Sequence, residues 1–120
     1  DSSVIIRGLR NEPGVVALVN RLGKEGLLRC SVLTVYEVEV GMRPVEVRLT
    51  QEVLASLEVM TLTREVVARA ALEARQARGR GRTLPPIDTM IGATALVHGL
   101  TMVTADLRGF QIPGLEVIAV

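Results

Sequence analysis

Four short apolar runs, residues 27–32, 59–62, 101–104 and 115–120, punctuate this chain, and helix-patterned segments lie between the first three and ahead of them. Runs so short and so apolar suit strands covered on both faces, and helical crossovers make successive strands parallel. The expected fold is therefore α/β, with three layers and a central parallel sheet flanked by helices. Glu12-Pro13-Gly14 opens the first helix, with Val15, Val16, Leu18, Val19 and Leu22 as its apolar face and Gly23 and Gly26 after it. Ser31 or Thr34 caps the next, which carries Tyr36, Glu37 and Val38 and stops near Gly41. Pro44 suits the first turn of a helix reaching about Leu57. Thr63 opens the clearest helix, backed by Val66, Val67, Ala70, Ala71 and Ala74, and a last helix covers 87–98 before Gly99.

A length of 120 residues supports one core, so residues 1–120 are read as a single domain. The apolar share of 48% excludes disorder. With a single cysteine, Cys30, an internal disulfide and a cysteine zinc site are both excluded, and its apolar surroundings mark it as a buried small hydrophobe. No apolar run reaches membrane-spanning length and no secretory signal is visible, which makes a cytoplasmic protein without membrane contact the expectation. The net charge of +1 gives no general pull toward nucleic acid, so any attraction must be local. Arg75, Arg78, Arg80 and Arg82 form such a patch, open to reading as a solvated helix end, an RNA contact or a surface for an acidic partner. Tyr36 and Phe110 are the only aromatics, so RNA recognition here rests on backbone, shape and arginine rather than on stacked bases.

The acids are distributed unevenly in kind. Only three are aspartates, Asp1, Asp88 and Asp106, and each stands beside an apolar segment and a Ser or Thr; Glu37 shares that setting. In open parallel sheets, ligands bind beyond the carboxyl ends of the strands. Asp1 and Asp106 would emerge at that edge, with Asp88 and Glu37 in the first turns of helices starting there. A strand-end carboxylate needs its strand, so several apolar residues are expected ahead of Asp1, forming a strand in the middle of the sheet. Two carboxylates 4–5 Å apart repel by about 3–4 kcal/mol at an effective dielectric near 20. A hard cation such as Mg²⁺ or Mn²⁺, which prefers oxygen ligands, relieves that repulsion. It would also bind phosphate oxygens and acidify a bound water, which is the chemistry of phosphodiester hydrolysis. Taken singly, each acid has an ordinary reading as a cap or surface residue. His98, at a helix end before Gly99, is read as a cap.

In chain order these residues resemble the PIN-domain ribonucleases, most closely the VapC-like toxins of toxin–antitoxin pairs. Asp1-Ser2-Ser3 is similar to the family's first motif, and the stretch from Ser31 through Thr34 to Glu37, with Gly41, to its second. Ile87-Asp88-Thr89 through Thr94-Ala95 is similar to the third, and Val103-Thr104-Ala105-Asp106 with Phe110 to the fourth. Pro113-Gly114-Leu115-Glu116-Val117 resembles the last strand, so nearly the whole chain is covered. The resemblance implies a Mg²⁺- or Mn²⁺-dependent endoribonuclease. It implies Asp1, Glu37, Asp88 and Asp106 as the catalytic, metal-holding quartet, with Ser3 and Thr104 in support. It further implies an RNA substrate, a homodimer, and a cognate antitoxin whose tail reaches the acidic cleft. One departure stands out: the family often has an aspartate just before the phenylalanine of the fourth motif, where this chain has Gly109. That residue leaves open a domain that holds RNA or protein without turnover. A receiver-like phosphoacceptor is disfavoured, because the single lysine, Lys24, lies in an early loop.

Overall fold

A computed structural model describes all of residues 1–120. Ten helices and strands follow in the order α1 (Ser2–Leu9), α2 (Pro13–Glu25), β1 (Arg29–Ser31), α3 (Val32–Val40), α4 (Val47–Ala55), β2 (Glu58–Met60), α5 (Arg64–Gly79), α6 (Pro86–Val97), β3 (Met102–Thr104) and β4 (Val117–Ala119). The strands are parallel, as the helical crossovers require: Cys30 is opposite Val59 in one ladder and Val103 opposite Ile118 in the other. Two 3₁₀ turns, Pro44–Glu46 and Leu107–Phe110, complete the chain.

The sheet differs from expectation over these residues. It consists of two two-stranded ladders, β1 with β2 and β3 with β4, instead of one continuous sheet. The edges of β1 and β3 left free by those pairings line a groove, with Cys30 and Val103 on its walls. The groove opens as a pocket of about 330 Å³ toward α3 and α6 and another of similar size toward α1, α2 and α4. The Asp1 amino group donates to Val103 O at 2.9 Å, satisfying one ladder position of β3. The strand expected ahead of Asp1 lies outside residues 1–120.

Local chemistry explains the other differences. Residues 2–9 form a helix that their β-branched run, Val4-Ile5-Ile6, does not advertise. Asp1 supplies its cap, accepting from Val4 N at 3.3 Å, and Val4 is buried beneath it. The single helix expected from Pro44 divides, because the first turn closes as 3₁₀ before α4 begins at Val47. β2 starts and ends early, since its register with β1 finishes at Met60 and Thr63 must leave the strand to cap α5.

Packing centres on α6. Helix α5 presents Val66, Ala70 and Ala77 to it at helical spacing, and Val66 and Ala70 meet Ala93 in one buried cluster. Alanines at the contact let the two axes approach closely. On the other side Ile91 and Ala95 join Met102 of β3 and Phe110. Gly92 lies between them with no room to spare: a β-carbon there would come within 2.6 Å of Ile112 Cδ1. These contacts seat the segment after β3 against the start of α6.

Candidate acidic site

Asp1 is held by donors. Ser3 Oγ donates to its Oδ1 at 2.7 Å and Thr104 Oγ1 to its Oδ2 at 2.8 Å. The same hydroxyls accept from the next stretch of backbone, Ser3 from Ala105 N at 3.0 Å and Thr104 from Asp106 N at 2.9 Å. Thr104 is fully buried. Both residues therefore tie the start of α1 to the end of β3, and Asp1 sits at the N-terminus of α1.

Asp88 is in the first turn of α6, as expected, entered through Pro85 and Pro86. Its half-buried carboxylate has no hydrogen-bond partner, and its pKa is raised by burial first, then by the charges of Glu37 and Asp106. Glu37 is in the second turn of α3, one turn later than expected. Ser31 is the cap, accepting from Leu33 N at 3.1 Å, so the helix begins at Val32 and not at Thr34. The charge of Glu37 also reaches the backbone nitrogen of Asp1. Glu37 thus faces both Asp1 and Asp88.

Asp106 is exposed and caps the 3₁₀ turn, accepting from Arg108 N at 3.1 Å. The Arg108 side chain returns to it, Nε to Oδ1 at 3.1 Å and Nη2 to Oδ2 at 3.3 Å. Those bonds from Arg108 hold the Asp106 carboxyl below its usual range. Burial pushes the Cys30 thiol upward, which suits the inert core residue expected from the sequence.

Of the four arginines, Arg75 and Arg78 are exposed on α5, Arg80 ends that helix, and Arg82 follows the left-handed Gly81. None of the four has an acidic partner within ion-pair distance. Arg82 Nη2 donates to Gln111 Oε1 at 3.0 Å, and Leu84 is buried against Ile112. The basic loop is thereby anchored to the segment that carries Asp106 and Gly109.

The donor set suits a hard divalent cation in kind: oxygen ligands only, two of them, Glu37 and Asp88, without a hydrogen-bond partner, and Asp88 raised by burial and then by its acidic neighbours. As the side chains lie, no three acids are close enough to enclose an ion, so the convergence expected of the quartet is not present in this arrangement.

The model of the PIN domain family matches residues 1–114. This chain belongs to that family. Ribonuclease VapC10 of Mycobacterium tuberculosis is 35% identical over 115 residues, covering 93% of this chain and 84% of the relative. Ribonuclease VapC19 of the same organism is 31% identical over 119 residues, covering 97% and 94%. Among solved structures, a chain of a toxin–antitoxin complex from Klebsiella pneumoniae superposes with a TM-score of 0.77 over 99% of this chain and 93% of its own, at 20% identity, a likeness of fold.

Two features of this PIN domain escape the sequence. Arg108 as the partner of Asp106 is invisible until the turn is known, because an Asp-x-Arg spacing brings the side chains together only when the backbone curls between them. The contact between Gly109 and Asp88 is equally hidden, although the glycine itself is visible as a departure from the family pattern.

Proposed function

We propose that this PIN domain is a metal-dependent endoribonuclease, the toxin of a toxin–antitoxin pair. The observation that carries the reading is Asp88: a carboxylate without a donor, in the field of Glu37 and Asp106, beside an arginine loop with no acidic partner. Asp1, Glu37, Asp88 and Asp106 would hold Mg²⁺ or Mn²⁺, which when bound supplies Lewis acidity toward phosphorus and a more acidic water. Ser3 and Thr104 donate to the Asp1 carboxylate and fix its orientation. Asp88, already raised, is the acid best placed to accept a proton from attacking water. Arg75, Arg78, Arg80 and Arg82 would hold the RNA backbone as phosphate contacts that fix position without reading sequence.

The partners proposed are RNA, a cognate protein antitoxin and a second copy of the chain, acting in the cytoplasm; no helix is long and apolar enough to cross a membrane. The relatives named ribonucleases support the substrate, and the family resemblance supports the antitoxin and the dimer. Gly109, the one residue favouring a silent binding module, stands directly beside the Asp88 carboxylate. The test is cleavage of a broad RNA panel by the full-length protein with Mg²⁺, Mn²⁺ or EDTA, beside Asp88→Asn. Metal-dependent cutting lost in the variant is expected; intact RNA from folded, metal-loaded, antitoxin-free protein overturns the reading.

A further inference from the structure

We propose that Arg108 is a phosphate-binding residue of the acidic site, held against Asp106 in the cation-free protein and released to an RNA phosphodiester when Asp106 turns to a bound cation. Among the chain's ion pairs, only that of Arg108 with Asp106 includes one of the four acids. The backbone sets its reach. The 3₁₀ turn Leu107–Phe110 is pinned by buried Gly109 and Phe110, and Asp106 accepts from Arg108 N at 3.1 Å, so residue 108 returns over the acid two positions before it. The guanidinium then meets both carboxylate oxygens, the two-pronged geometry it also offers a phosphate.

Two observations make an RNA phosphate its second partner. Four carboxylates around one divalent cation remain net negative, so a phosphodiester reaching them needs a positive charge facing it. Arg108, with 89% of its side chain exposed, is free to supply that charge. The same turn runs into Gln111, whose Oε1 accepts from Arg82 Nη2 at 3.0 Å, so Arg108 stands between the anchor of the basic loop and the acid it pairs with. Both oxygens of Asp106 are engaged by Arg108, so an ion approaching that carboxylate competes with the guanidinium. The competition is mild, because exposed ion pairs contribute little, and one anionic partner is readily exchanged for another.

This inference rests on the reading of the acids as the site of an RNA-cutting enzyme, and the experiment separates the two. Affinity for a fluorescent single-stranded RNA is measured by anisotropy on the full-length protein, over a salt series, in EDTA and in Ca²⁺, a hard cation that takes oxygen ligands. The proteins are wild type, Arg108→Ala, Asp106→Asn and the Asp106→Asn/Arg108→Ala double variant. Arg48→Ala, which removes an exposed arginine paired with Glu52 on α4, is the control for loss of a surface charge. In Ca²⁺, Arg108→Ala is expected to bind RNA about 3- to 10-fold more weakly, with a salt slope shallower by about 0.7–1 unit, the share of one phosphate contact. In EDTA its affinity should stay within about twofold of wild type, because the guanidinium is then held by Asp106. Asp106→Asn frees that guanidinium without a cation, so in EDTA it should tighten RNA binding more than the same change does in the Arg108→Ala background. Arg48→Ala should change neither affinity nor slope. Wild-type affinity and slope for Arg108→Ala in Ca²⁺, equal losses in EDTA and Ca²⁺, equal tightening by Asp106→Asn in both backgrounds, or a loss in Arg48→Ala matching that in Arg108→Ala each overturn the proposal, while Mn²⁺-dependent cleavage by wild type keeps the enzyme reading standing. A wild type that neither cleaves RNA in Mn²⁺ nor binds it in Ca²⁺ overturns that reading and this inference with it.

Discussion

The carboxylate of Asp1 receives hydrogen bonds from Ser3, Val4 and Thr104, whereas that of Asp88 receives none and is pushed toward its neutral form by burial, Glu37 and Asp106. The first corner is fixed by donors, so its geometry depends on two hydroxyls and a backbone N–H. The second carries negative charge that nothing in the chain cancels, so it responds to protons and cations. In the proposed cation site such a division would keep one ligand oriented and leave the other to be drawn into place by the ion. The alternative of saturating every acid with donors would orient all four and remove much of their attraction for a cation.

The sharpest way to break the contrast is to neutralise its charged side. Asp88→Asn is expected to lower RNA cleavage by about 10²–10⁴-fold, the range for loss of a general acid–base group, while leaving metal-free stability at neutral pH unchanged or raised. Assay of cleavage beside urea unfolding checks both halves; a large loss of stability would place Asp88 with the fixed corner instead. On the donor side, Thr104→Val removes bonds to Asp1 and Asp106 N in a fully buried place. It should cost about 1–3 kcal/mol of stability. Cleavage should fall by about 10- to 100-fold in the same variant.

A pH series sharpens the comparison with a smaller signal. Because the folded pKa of Asp88 lies above its ordinary 3.8, the stability linked to its protonation is complete below 3.8 and is lost as pH rises through the folded value. The stability difference between Asp88→Asn and metal-free wild type should therefore grow in the variant's favour across that window and shrink when Mn²⁺ is added, as read from urea midpoints. Arg82→Ala should weaken RNA binding and lower the salt slope by about one unit without changing Mn²⁺ affinity, since a phosphate contact acts apart from the acids. The least effect on the cation is expected from Arg108→Ala. Its pair with Asp106 is solvent-exposed, so freeing that carboxylate should change Mn²⁺ affinity by less than about threefold in titration.

The parallel α/β architecture was legible because strand and helix periods differ and the crossovers leave little choice of strand direction. The membership of Asp88 in a helix start was legible too, since two prolines and an acid mark a first turn on their own. What stayed hidden depends on contacts far apart in sequence. Helix α1 is not marked in the sequence, because Val4-Ile5-Ile6 has modest helix propensity and the helix is secured by its Asp1 cap and buried Val4. Glu37 moved by a turn because either Ser31 or Thr34 satisfies a cap pattern, and the strand register at Ser31 decides between them. Gly109 read as a missing aspartate because a sequence shows the absence of a side chain and not the neighbour that fills its place.

The bond from Thr104 to Asp1 closes a loop of more than a hundred residues. Such a contact forms late, after the local helices, because loop closure must precede it. For a protein that cuts RNA this sets an order of events during its own synthesis. A growing chain lacks a complete cleft until Thr104 and Asp106 have been added to it. The cleft can therefore be completed only after the fourth motif has joined the chain, whatever has already formed ahead of it.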